Sequence, residues 1–140
     1  MNNEITIRKA RVGDIPYIIK LQAVGHLCLT DGRPFVRDEF AGYIKKGVLL
    51  VAEKSGAVIG FIMGEFLLNG GSICQLACVD KPYRDGGVAR KLLIEFQKIL
   101  KENKVLWILT YAVKRDGVLH RYMGASVSKC DYKEVFYILK

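Results

Sequence analysis

The sequence lacks the features that mark membrane, secreted or zinc-binding proteins. No stretch approaches the ~18 apolar residues needed to span a bilayer, and the opening MNNEITIRKA contains no apolar signal-peptide core. The few cysteines show no CxxC spacing, so neither a zinc site nor a disulfide framework is indicated. We therefore expect no membrane association and no metal, but free thiols buried in the core, in a reducing, cytoplasmic location. The cysteines are Cys28, Cys74, Cys78 and Cys130.

The chain also lacks a low-complexity linker and an internal repeat. Its 140 residues fit one domain, residues 1–140, and a composition of 51% hydrophobic and 26% charged residues is typical of a globular protein. The formal net charge of +8 favours an anionic partner or a solvated basic surface. Nothing resembles an RNA-binding aromatic pair or a recognition helix with interleaved basic residues, which argues against nucleic acid.

Apolar periodicity predicts a mixed α/β sheet with the order β-α-α-β-β-β-α-β-α-β. Branched and aromatic runs around the turns at 54–56 and 69–71 predict three consecutive antiparallel strands. A helix begins near Val88, and Asp14 is the expected N-cap of the first helix. Cys74 and Cys78 lie four residues apart on one strand, so they share a face unless a bulge intervenes.

The stretch VDKPYRDGGVARKLL, residues 79–93, places two glycines between a strand and a helix. Gly86 and Gly87 permit positive φ and remove Cβ atoms from the path of an approaching ligand. The helix that follows starts with amide groups that lack intrahelical partners and carry partial positive charge. The pattern favours a phosphate cradle with Arg84 and Arg90 at its rim, although the glycines could also serve only as a tight turn. Neither GxGxxG nor a P-loop motif is present.

Residues 84–89, RDGGVA, fit the R/Q-x-x-G-x-G/A motif of the GNAT superfamily of N-acetyltransferases. The segment LHRYMGA, residues 119–125, resembles the family's later F-Y-x-x-x-G-F segment, and the order of elements is similar to that of GNAT proteins. The resemblance implies a mixed, mostly antiparallel sheet with a V-shaped splay between strands 4 and 5. It also implies acetyl-CoA as co-substrate.

The resemblance assigns the diphosphate of coenzyme A to the amides of the glycine turn and its pantetheine to the end of strand 4. Pantetheine would pair with that strand end as an extra strand does. The expected coenzyme A residues are Cys78, Val79, Asp80, Arg84, Asp85, Gly86, Gly87, Val88, Ala89 and Arg90.

Two positions depart from the family's catalytic pattern. His120 stands four residues before Gly124, where relatives carry the Tyr that protonates the departing thiolate, and Tyr122 lies two residues further on. On a regular helix these two side chains point about 200° apart, so only one can face the thioester. Gln75 stands where several relatives carry a Glu base, and Gln can hold a water or a substrate but cannot accept a proton.

The resemblance implies direct transfer of an acetyl group to the primary amine of a small molecule or a protein. The region between residues 25 and 47, with the edge strands, would select the acceptor, and Asp31 and Arg33 are candidate contacts or simply surface residues. Glu65, on the strand before the turn at 69–71, is a candidate base or amine anchor, or a solvated edge carboxylate. The two departures leave open a non-catalytic acyl-CoA sensor on the same fold. The family resemblance also allows a homodimer through sheet edges or C-terminal strands.

Overall fold

The computed structural model describes residues 4–24, 33–111, 126–127 and 134–138. One sheet runs through this part of the chain, with strands in the order β1-β2-β3-β4-β5-β7-β6. Three helices of more than one turn accompany it among the described residues. The elements are β1 (Ile5–Lys9), α1 (Ile15–Val24), α2 (Arg37–Lys46), β2 (Val48–Lys54), β3 (Ala57–Phe66), β4 (Gly71–Val79), α3 (Val88–Glu102), β5 (Trp107–Tyr111), β6 (Ser126–Val127) and β7 (Glu134–Ile138).

The pairing confirms the mixed, mostly antiparallel sheet. The first four strands are antiparallel neighbours, and the single parallel pair in the described sheet joins β4 to β5. The β2–β3 hairpin turns on Ser55 at φ 51° and Gly56 at φ 80°, the two positive values that favour a tight hairpin. The predicted helix at residues 118–123 lies outside the described residues.

Helices cover both faces of the sheet. The buried side chains of α3 pack on one face, where Phe96 and Leu100 are fully buried against Leu50 and Ile62. Helices α1 and α2 cover the other face, where Phe40 contacts Phe61 with ring centroids 6.4 Å apart. Because both faces are covered, β2 is a run of buried apolar residues and shows no polar alternation over 48–52.

A β-bulge at Gln75 separates two cysteines that a regular strand would place together. Met63 pairs with Leu76, whereas the next residue, Gly64, pairs with Cys74, so Gln75 is the extra residue on β4. Cys74 is therefore buried on the α3 face, and Cys78 is buried on the α1–α2 face. The prediction of core thiols is confirmed, and the bulge explains why they do not share a face.

Asp14 begins the first helix in a different way from the predicted N-cap. Its carboxylate accepts a 2.7 Å bond from the Arg11 N–H and two bonds from the Arg8 guanidinium, at 2.7 and 2.9 Å. It lies at the end of a short 3-10 turn, residues 12–14, that leads into α1. The hydrogen bond from Arg8 is the main reason that the pKa of Asp14 is lowered.

Candidate functional site

The turn between β4 and α3 has the backbone shape of an anion-binding loop. Asp85 and Gly87 adopt positive φ of 66° and 81°, so the left-handed positions are these two and not the predicted Gly86–Gly87 pair. A Cβ added at Gly87 would meet no atom within 4 Å, which leaves this side of the turn open. The turn can therefore present its backbone to a ligand.

Helix α3 starts at the open side of this turn. Its first helical bond runs from the Lys91 N–H to the Gly87 carbonyl, at 3.1 Å. The N–H groups of Val88 and Ala89 come before Lys91 in the chain. They have no intrahelical acceptor, because no helical carbonyl lies four residues before them. With the exposed Arg84 and Arg90 beside them, these groups form a positive site suited to a phosphate.

The edge of β4 that faces β5 opens before the strand ends. Parallel pairing with β5 runs from Gly71 to Cys74, yet β4 continues to Val79. Among the described residues, no strand pairs with 75–79 on that side. This stretch, which starts at the Gln75 bulge, is where the splay between strands 4 and 5 lies in the predicted fold.

Main-chain alternation decides which groups line the splay. The Asp80 N–H donates to the Ile59 carbonyl at 2.7 Å, so the main-chain groups of Asp80 point toward β3. In an antiparallel pair every second residue points the same way, so the main-chain groups of Cys78 also point toward β3. Val79 and Ala77 turn theirs toward the splay. Of the predicted strand-end residues, Val79 is therefore the one whose main-chain groups face the splay. Ala77, which the sequence reasoning missed, has the same orientation, and only the strand register could have revealed this.

A side chain from the glycine turn already contacts this open edge. Arg84 Nε donates a 2.9 Å hydrogen bond to the Val79 carbonyl. The guanidinium thus lies at the junction between the open strand edge and the glycine turn. It contacts one of the two regions that a molecule of coenzyme A would bridge.

The bulge also turns Gln75 toward the α1–α2 face. Its Nε2 lies 3.4 Å from Oε1 of Glu65, and the Tyr43 hydroxyl lies 3.4 Å from the other oxygen of the same carboxylate. Three elements, α2, β3 and β4, therefore meet at Glu65. The sequence singled out Gln75 and Glu65 separately, but their contact depends on a bulge that the pattern of side chains did not predict.

Glu65 lines a cleft of about 410 Å³ between α2 and the end of β3. Burial, and then the nearby Glu65 charge, raise the pKa of Tyr43 to about 12, so the Tyr43 hydroxyl stays protonated at neutral pH. Sequence reasoning missed Tyr43 because its place over β3 depends on how α2 packs. The lining residues are Phe35, Glu39, Gly42, Tyr43, Lys46, Gly47, Glu65 and Phe66.

A second carboxylate in the cleft already has a cationic partner. Glu39 pairs with Arg33 at 2.7 Å and accepts a 2.8 Å bond from the Val36 N–H at the start of α2. The Arg33 contact is the main reason that the pKa of Glu39 is lowered. Glu39 and Arg33 therefore fix the entry to α2.

The predicted acid candidates His120 and Tyr122 lie outside the described residues, as do Asp31 and Cys130. Their roles stay predictions. Within the described part of the chain, no group of three or more His, Cys, Asp or Glu side chains could hold a metal ion. No helix in that part has the length and apolar character needed to cross a membrane.

Comparisons with known proteins point to one family. Residues 18–124 match the model of the acetyltransferase (GNAT) family. A search of curated protein sequences found no significant match. Several solved structures share the fold at low sequence identity.

Three of these structures illustrate the similarity. Ard1 from Thermoplasma volcanium is 19% identical with a TM-score of 0.81, and the match covers 97% of this chain and 98% of Ard1. PaiA N-acetyltransferase from Thermoplasma acidophilum, in complex with coenzyme A, is 17% identical with a TM-score of 0.76, covering 95% and 96% of the two chains. N-acetylglutamate synthase from Neisseria gonorrhoeae, complexed with coenzyme A and N-acetyl-glutamate, is 16% identical with a TM-score of 0.82 over all of this chain and 36% of the synthase.

The family model covers most of the chain, and it includes the glycine turn, the splayed strand and α3. The strand order and the parallel β4–β5 pair agree with the fold that the motif predicted. The chain therefore belongs to the GNAT family of acetyltransferases.

Proposed function

We propose that this protein transfers an acetyl group from acetyl-CoA to a primary amine by direct attack in a ternary complex. The observation that carries the proposal is the continuity between an open strand edge and an anion-binding turn. The edge at Ala77 and Val79 leads through residues 80–84 into the amides before Lys91. A ligand with an amide-containing arm and a diphosphate matches both parts.

The residues of the chain divide the work of binding. The amides at the start of α3, with Arg84 and Arg90, hold the diphosphate. The main-chain groups of Ala77 and Val79 hold the pantetheine arm. Structures of the same fold with coenzyme A bound, such as PaiA and N-acetylglutamate synthase, support coenzyme A as the ligand.

Transfer then needs a neutral amine, a polarised thioester carbonyl and a proton for the departing thiolate. The Val79 N–H faces the splay and is our candidate for polarising the carbonyl. Gln75 orders a water or the acceptor by hydrogen bonding, because an amide cannot take a proton. His120 supplies the proton to sulfur in this proposal, since its ordinary pKa lies near neutrality, and Tyr122 is the alternative donor.

The test begins with binding. Coenzyme A is titrated into the purified protein in a calorimeter, with circular dichroism to verify folding, and Gly87→Val serves as the variant that obstructs the turn. We expect the wild type to bind and Gly87→Val to bind at least about tenfold more weakly. No heat from a folded wild-type sample contradicts the proposal.

Turnover is tested next by following free thiol release from acetyl-CoA with a panel of amines. Release with at least one amine is the expected result. Binding without release on any amine would instead identify an acyl-CoA sensor. Comparison of His120→Ala with Tyr122→Phe assigns the acid, because loss of the true donor lowers kcat by about 10²-fold or more while the other variant stays near wild type.

A further inference from the structure

The cleft between α2 and the end of β3 contains the carboxylate of Glu65. Lys46 lines the same cleft, but no ion pair joins it to Glu65 among the described residues. In the described part of the chain, Glu65 takes part in no ion pair, and its two hydrogen bonds come from the neutral groups of Tyr43 and Gln75. Both bonds measure 3.4 Å, which is long for a contact to a carboxylate. Glu65 therefore keeps acceptor capacity on both oxygens.

The position of Glu65 makes this charge relevant to acyl transfer. Gln75 contacts it and stands at the bulge where the β4–β5 splay begins. The Glu65–Gln75 contact thus links the cleft to the start of the splay, on the face opposite α3. An acceptor lying in the cleft would extend toward the open edge of β4.

The walls of the cleft define the rest of the acceptor. Phe35 and Phe66 supply apolar surface, and Phe66 is 38% exposed, so it can contact a methylene chain. The other carboxylate, Glu39, is already paired with Arg33. The volume of about 410 Å³ suits a small molecule or a single long side chain.

We propose that Glu65 binds an ammonium group of the acceptor that is separate from the amine to be acetylated. The attacking amine must be uncharged, whereas a carboxylate stabilises the charged form of a bound amine. A group held by Glu65 therefore stays cationic and anchors the acceptor, while a second amine further along the chain reacts. The acceptor class is a diamine, or a longer polyamine, with methylene spacers. This inference rests on the proposed acetyl transfer.

The test measures binding and not turnover, so it can fail independently of the proposed function. We titrate 1,4-diaminobutane and 1,4-butanediol, which have the same carbon chain with and without ammonium groups, into the protein without coenzyme A. We expect the wild type to bind the diamine at least about tenfold more tightly, the factor typical of a charge-assisted hydrogen bond. In Glu65→Gln the two affinities should agree within about twofold, because the neutral side chain lacks the charge that attracts the ammonium group.

Lys46→Gln is the matched control, because it removes a charge of opposite sign from the same cleft. It should keep or increase the preference for the diamine. Equal affinity of the wild type for the diamine and the diol, no binding of the diamine, or an unchanged preference in Glu65→Gln would each overturn the inference. If Glu65→Gln fails to fold, the carboxyl ¹³C resonance of Glu65 in the wild type gives the same answer. It should shift with 1,4-diaminobutane and not with 1,4-butanediol.

Discussion

The Nε atom of Arg84 donates a 2.9 Å hydrogen bond to the carbonyl of Val79, the last residue of β4. The contact joins the glycine turn to the open strand edge, the two regions that coenzyme A would occupy together. The carbonyl is one that an extra strand, or a pantetheine amide, would use as an acceptor. Under the proposed function, Arg84 would therefore both attract the diphosphate and compete for the strand edge.

Replacement of Arg84 by Ala should affect two ligands in opposite directions. We expect affinity for coenzyme A to fall about tenfold because a charged phosphate partner is lost. Affinity for pantetheine, which has no phosphate, should rise because the Val79 carbonyl becomes available. Calorimetric titration of coenzyme A and of pantetheine into the wild type and the variant measures the two changes in affinity.

Lys98→Ala is the control for Arg84→Ala, because it also removes one positive charge. Lys98 is exposed and lies about 15 Å along α3 from the start of the helix at Val88. The control variant should leave both affinities near wild type. If Arg84→Ala weakens the binding of coenzyme A and of pantetheine equally, Arg84 does not compete with pantetheine for the Val79 carbonyl.

Gly87 and Gly86 should respond differently to a methyl group. Gly87 has φ 81°, where an Ala costs about 1 kcal/mol, whereas a Cβ at Gly86 makes only an ordinary 3.5 Å contact with the Tyr83 carbonyl. Gly87→Ala should therefore lower both the free energy of unfolding and coenzyme A affinity, and Gly86→Ala should change stability little. Denaturant unfolding with calorimetry tests this, and equal losses of stability in the two variants would be inconsistent with the turn described here.

Gly64 allows α3 to lie close to the sheet. A Cβ there would lie 2.6 Å from the Phe96 ring and 2.6 Å from the Ile73 carbonyl. We expect Gly64→Ala to reduce the free energy of unfolding by about 2 kcal/mol through overpacking. Phe96→Leu in the same chain should show positive coupling in a double-mutant cycle, because one of the two clashes is relieved.

Gly42→Ala is the comparison for Gly64→Ala, since Gly42 is exposed within α2 and a Cβ there meets nothing within 4 Å. This variant should gain up to about 1 kcal/mol from helix propensity. A loss of stability at position 42 equal to that at position 64 would contradict the packing explanation.

The Arg8–Asp14 pair should make stability depend on acid pH. The pKa of Asp14 lies below its ordinary value of 3.8 in the folded protein, mainly because of the hydrogen bond from Arg8. Its contribution is therefore complete above about pH 5 and disappears as the pH falls through the lowered folded pKa. Asp14→Asn should cost about 2 kcal/mol at neutral pH and much less near pH 2.

Denaturant midpoints from pH 2 to 7 measure this difference. Glu102→Gln removes an exposed carboxylate at the end of α3, and its denaturant midpoint should change with pH in the same way as that of the wild type. A cost of Asp14→Asn that stayed constant with pH would show that packing and not charge is lost.

The ionisation of Tyr43 reports on the charge of Glu65. Burial is the largest cause of its raised pKa of about 12, and Glu65 comes next, so Glu65→Gln should lower the midpoint but leave it above 10. Titration of ¹³Cζ-labelled tyrosines, assigned with Tyr43→Phe, gives the value. Glu39→Gln should cause a smaller decrease, because Glu39 is the weakest of the contributors. An unchanged midpoint in Glu65→Gln would place the carboxylate further from Tyr43 than the structure does.

Local chemistry in the sequence was sufficient to predict the glycine turn and the elements around it. Glycines at 86 and 87, Pro82 and the apolar period of α3 encode the strand end, the turn and the helix start within a few neighbouring residues. The family motif lies in the same short segment, so the fold and the acetyltransferase family followed from it. The position of positive φ at Asp85 was not predicted, because non-glycine residues seldom adopt it.

The acceptor side depended on contacts between residues that are far apart in the chain. One extra residue in β4 reverses the faces of all side chains beyond it, and this places Cys74 and Cys78 on opposite sides and brings Gln75 to Glu65. Tyr43 reaches the same carboxylate only because α2 packs across β3. The sequence by itself determined what the backbone can bind locally, whereas the tertiary structure decided which distant side chains meet, because register and helix packing are set by the whole sheet.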